Sequence, residues 1–87
     1  MDSQILFYKA VMQKRIDLEN RKKEIYNSAS NESDMLTGNK NRMFVCDDIE
    51  ELDKHLEVAH IRIDKIYELN KERLQIEAEL EELLGLK

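Results

Sequence analysis

Cys46, His55 and His60 are the strongest metal-ligand types in this sequence. A zinc site needs three or four such groups converging on one point. Residues five apart on a helix point about 140° away from each other, so His55 and His60 do not share a face. No metal site is expected. Nothing in the sequence pairs a nucleophile with a base at a recognisable spacing, and no glycine-rich loop is present to cradle a phosphate. Asp47, Asp48, Glu50 and Glu51 read as charges at a helix N-terminus, where the helix dipole favours them. Neither a cofactor nor an enzymatic activity is expected.

Charge narrows the partners. The 87 residues carry a net charge of −5, but unevenly. Residues 1–27 hold six Lys/Arg against four Asp/Glu, and residues 47–87 hold six against thirteen. Lys14, Arg15, Arg21, Lys22 and Lys23 form a basic stretch; Glu77, Glu79, Glu81 and Glu82 form an acidic run. Opposite charge at the two ends favours packing one end on the other. It disfavours nucleic acid, which needs a basic surface. No apolar run approaches the ~18 residues that cross a bilayer, so no membrane partner is expected. The first residues lack the basic start and apolar core of a secretion signal. A single cysteine allows no internal disulfide. Both features suggest a cytoplasmic, reducing setting.

The elements that position these residues are helices. Charged residues make up 38% and proline is absent, a composition typical of long helices. Val11, Leu18 and Ile25 recur every seven residues and predict a helix over about 4–27, capped by Asp2 or Ser3. Ser28, Ser30, Asn31, Ser33 and Asn41 surround a Thr37-Gly38-Asn39 turn signal, which predicts a flexible linker over about 28–46. Asp47 followed by Glu50 has the pattern of a capping box. It opens a long helix over about 48–84, with Gly85 as a left-handed stop and Leu86 closing back on Leu80.

The seam of that second helix reads Ile49, Leu52, Leu56, Ala59, Ile63 and Ile66 at alternating spacings of three and four. Antiparallel pairing sets Ile25 opposite Ile49, Leu18 opposite Leu56, Arg15 opposite Ala59, Val11 opposite Ile63 and Gln4 opposite Asn70. The fold class is therefore all-α: one antiparallel, coiled-coil-like two-helix hairpin spanning 1–87. In this register the longer second helix overhangs the first, leaving Leu74, Ile76, Leu80, Leu83 and Leu84 without a partner in the chain. Leu6, Ile16, Val58 and Ile61 also point away from the seam. These nine residues form the expected interaction surface. They favour a homodimer that pairs two hairpins into a four-helix bundle.

The stretch Arg21–Tyr26 together with Glu51-Leu52-Asp53-Lys54 resembles the small hairpin phosphatases that act on the sporulation response regulator of bacilli. Their signature is Ser-Gln-Glu-Leu-Asp; Ile49 and Glu50 stand here where it has Ser and Gln. The resemblance covers about a third of the chain. It implies a small regulator of a bacterial signalling protein, with Asp53 in an aspartyl-phosphate phosphatase. The residues themselves point first to a non-enzymatic protein–protein interaction module: a regulator, inhibitor, adaptor or assembly subunit with a protein partner.

Overall fold

The computed structural model describes residues 2–85, and they form two helices. Helix α1 spans Asp2–Phe44 and α2 spans Ile49–Leu84, packed against each other as an antiparallel hairpin. Only residues 45–48 connect them. The Asp48 backbone is extended and its carboxylate accepts from the Glu50 N–H at 3.1 Å, so Asp48 rather than Asp47 caps α2. Asp2 and Ser3 already lie inside α1, so neither caps it from outside. At the far end Gly85 is right-handed, φ −72°, and its N–H closes the helix on the carbonyls of Glu81, Glu82 and Leu83. No left-handed stop is needed there; the expected Leu86 contact lies outside the described residues.

The segment expected as a linker is helix through Phe44. Serine and asparagine lower helix propensity by only tenths of a kcal/mol each, and glycine by about 1. A packed face outweighs that. The face exists: Val11, Leu18, Ile25, Glu32 and Asn39 continue one seven-residue series along the seam, with Lys22, Ala29, Leu36 and Met43 as the alternate series. Both series are buried or half-buried. At residue 29 the apolar side chains pass from the first series to the second, so the apolar signal vanishes while the seam continues. Thr37 lies within the helix, its hydroxyl donating to the Ser33 carbonyl one turn back at 3.1 Å. Of the apolar run at the end of α1, Met43 is half-buried, whereas Phe44 and Val45 are almost bare.

A four-residue connection dictates the register. The cross-helix ion pairs Arg21–Glu72, Glu32–Arg62, Glu32–Lys65 and Lys22–Glu77 have residue numbers adding to between 93 and 99. The expected register added to 74, an error of about twenty residues, or ~30 Å along the axis. Leu18 therefore lies nowhere near Leu56, nor Val11 near Ile63, nor Ile25 near Ile49. Val11 and Arg15 instead share the open end of the hairpin with Leu83 and Leu84. The overhang is reversed as well. Helix α1 is the longer, 43 residues against 36, and its first turns bare Ile5, Leu6, Phe7 and Tyr8.

Two helices enclose little. Among the described residues Ile25, Ala59 and Ile76 are the buried apolar ones and Asn39 the buried polar one. The molecule measures 71 × 15 × 14 Å and exposes 7114 Å². A compact monomer of 10.4 kDa would expose roughly 5,400 Å². No helix among the described residues is long and apolar enough to cross a membrane.

Candidate interaction surface

The seam of α2 runs through His55, Ala59, Arg62, Ile66, Leu69, Arg73, Ile76, Leu80 and Leu83, all buried or half-buried. It keeps Ala59 and Ile66 of the expected stripe but turns to the other side of them. Leu56 and Ile63 therefore stay about half exposed, and Ile49 three-quarters exposed. Sequence reasoning chose the more apolar side; the structure uses the side that matches α1. In the half nearest the connection, α1 offers Glu32 and Asn39 to the seam, and α2 answers with Arg62. Arg62 donates from Nε to Asn39 Oδ1 at 2.9 Å and from Nη1 to Glu32 Oε2 at 3.1 Å. Polar meets polar there, and every buried side-chain nitrogen and oxygen among the described residues has a partner.

This seam leaves two unlike flanks. One carries most of the charged contacts between the helices; the Lys22–Glu77 pair lies on the other. Arg21 makes a two-pronged contact with Glu72 at 2.6 and 2.9 Å, and Lys65 reaches Glu32 at 3.1 Å. The hydrogen bond from Arg21 holds the Glu72 carboxyl below its ordinary pKa, and Lys65, then Arg62, does the same for Glu32. Hydrogen bonds to Glu72 and Glu24 raise the Arg21 guanidinium in turn. At Glu77, burial works against the charge, but hydrogen bonds from Arg73 and Lys22 outweigh it and lower the pKa. From the basic stretch of α1, Arg21 and Lys22 thus pair with Glu72 and Glu77 of α2 inside the chain.

The other flank is apolar. It begins with the residue following each of Leu18, Ile25, Arg62 and Leu83 in the seam, and continues one turn outward. Tyr26, Leu56, Ile63, Tyr67 and Leu74 lie on it, 46% to 64% exposed. Ile5, Met12, Ile16 and Leu84 extend it toward the open end, and Phe44 and Ile49 toward the connection. A groove of about 340 Å³ runs along it between the helices, with Tyr26 and Ala29 on one wall, Ile63, Ile66 and Tyr67 on the other, and Asn70 and Arg73 at one end. On the opposite side the corresponding groove carries Arg42, Lys54, His55 and Arg62 beside Met35 and Val58.

The nine expected surface residues separate accordingly. Leu74, Leu84 and Ile16 lie on the apolar flank and are exposed. Leu6 is exposed on the outer side of α1, and Val58 and Ile61 on the charged side of α2. Ile76 is buried, and Leu80 and Leu83 are half-buried in the seam, because α1 reaches far enough to cover them. Tyr26, Leu56, Ile63 and Tyr67 are exposed on the same flank and lie outside the nine. Leu56 and Ile63 belong to the clean apolar repeat of early α2, assigned to the wrong neighbour.

Among the described residues no group of three or more His, Cys, Asp or Glu is placed to hold a metal ion. The Cys46 thiol donates to the Asp48 carbonyl at 3.3 Å, and Asp53 is exposed near the start of α2, adjoining the apolar flank. No protein-family model, curated protein or solved structure matches this chain.

Proposed function

We propose that this chain is a non-enzymatic protein–protein interaction module that works by laying its apolar flank against other helices, its own copy included. The observation that carries this reading is the difference between the two flanks. One is laced with ion pairs within the chain; the other bares Tyr26 of α1 beside Leu56, Ile63, Tyr67 and Leu74 of α2, with Ile5, Met12 and Ile16 toward the open end. Scattered exposed apolar residues are ordinary, but such a cluster on one side of a helix pair marks a contact surface. Burying Tyr26, Leu56, Ile63 and Tyr67 stabilises a complex by ~1.5–3 kcal/mol per side chain if burial is complete, less as these are already half-covered. A homodimer in the form of a four-helix bundle satisfies the cluster most simply. Regulator, inhibitor, adaptor and assembly subunit are all roles such a surface can serve. The test is Ile63→Asp: a charge in the groove abolishes association with a helical partner while the hairpin keeps its helicity. Association at wild-type strength would overturn the reading.

A further inference from the structure

The charges bordering the apolar flank specify how a second copy lies on it. On this flank α1 presents Lys9, Lys23 and Lys40 against one acid, Glu19. Helix α2 presents Asp53 and Glu81 with no Lys or Arg, while Glu77 is already paired with Lys22 and Arg73 inside the chain. One long edge of the flank is therefore basic and the other acidic. Two identical hairpins can join this face in a closed pair in two ways. With a two-fold axis across the long dimension, the connections lie at opposite ends and α1 meets α1, basic edge on basic edge. With the axis along the long dimension, the connections lie at the same end and α1 of each protomer meets α2 of the other.

We infer that the occupant of the flank is a second copy in the latter arrangement, parallel to the first, with each α1 on its partner's α2. This rests on the reading of the flank as an interface. Like charges brought together at an interface reject a pairing mode, and opposite charges fix its register. The levels agree as well as the signs. Residues whose numbers add to the mid-nineties lie side by side in the hairpin, and the parallel two-fold keeps them level across the dimer. It brings Lys40 within about a turn of the partner's Asp53, and Lys9 within about a turn of the partner's Glu81. The apolar side chains keep their levels too, Tyr26 meeting the partner's Tyr67. The area suffices: a face of 71 by 15 Å is on the order of 1,000 Å² per protomer, and a standard interface takes ~800 Å².

Cys46, the one cysteine, sits at the connection and reports the arrangement directly. A nitroxide on Cys46 of the full chain, read by double electron–electron resonance, gives a short distance between labels if the connections share an end. Opposite ends would separate the labels by nearly the 71 Å length and overturn the inference while leaving the flank an interface. No dipolar coupling, with a monomer mass in sedimentation, would overturn the second copy itself. Because the Cys46 thiol is half-buried, the same distance is measured from Asn41→Cys on a Cys46→Ser background, an exposed site at the same end. Charge exchange is the second arm. Lys40→Glu weakens dimerisation several-fold and Asp53→Lys in the same chain restores it; absence of restoration would contradict the pairing of α1 with the partner's α2.

Discussion

Arg62 and Asn39, 23 residues apart in sequence, meet across the hairpin with Arg62 Nε donating to Asn39 Oδ1 at 2.9 Å, and Asn39 is only 6% exposed. With Glu32 they make a polar layer in the middle of a helical seam. Such layers fix register, because sliding by a turn leaves a buried amide and a half-buried guanidinium without partners. Asn39→Leu removes the acceptor and sets an apolar side chain against Arg62. It should destabilise the hairpin by ~1–3 kcal/mol in urea unfolding. An unchanged midpoint would show that the layer does not hold the register.

The second half of α1 gives a prediction of opposite sign. Gly38 lies in mid-helix, and a Cβ built on it meets nothing within 4 Å. Gly38→Ala should therefore stabilise the protein by ~0.5–1 kcal/mol, raising Tm by several degrees. A true turn at Thr37–Asn39 would make the same substitution neutral or harmful, so the thermal melt distinguishes helix from linker.

Register has its own test. Arg21→Cys with Glu72→Cys, on a Cys46→Ser background, should be joined within one chain by a short bifunctional thiol reagent, since Arg21 and Glu72 face each other across the helices. Leu18→Cys with Leu56→Cys should not, because about twenty residues of offset hold them apart. The reverse pattern would restore the shorter hairpin.

Acid should loosen the molecule through the cross-helix pairs. Glu32, Glu72 and Glu77 have folded pKa values below the ordinary 4.5. A carboxylate lowered on folding adds stability that is complete above its unfolded value and lost as pH falls through the folded one. Tm should stay level from neutral pH to about 5 and decline below about 4.5, with a shallower decline in Glu72→Gln. Glu72 and Glu77 are solvent-accessible, so added salt should weaken their share of the effect more than that of the more covered Glu32.

The helical class, the antiparallel hairpin and the extent of α2 were legible in the seven-residue repeats and the absence of proline. The length of α1 was not. Its seam passes from Ile25 through Glu32 to Asn39, and those polar residues belong to a packed face only because Arg62 lies opposite. Apolar periodicity carries no trace of a polar layer whose partners lie on another helix. Once α1 was cut short, the register followed the shortened helix, and Ile76, Leu80 and Leu83 were left bare when they are covered. The apolar flank was half legible: the Leu56–Ile63 repeat was seen, but as the hairpin's own seam rather than the surface beside it.

The proposed contact surface is the Leu56–Ile63 flank and not the charged one. Sedimentation equilibrium on three chains tests it most directly: wild type, Leu56→Asp with Ile63→Asp, and Val58→Asp with Ile61→Asp, each checked for helicity by circular dichroism. Wild type and the Val58/Ile61 variant should sediment at twice 10.4 kDa, and the Leu56/Ile63 variant at 10.4 kDa with its helicity kept. A dimer that survives Leu56→Asp with Ile63→Asp, or one lost only with Val58→Asp and Ile61→Asp, would contradict the assignment of the interface to this flank.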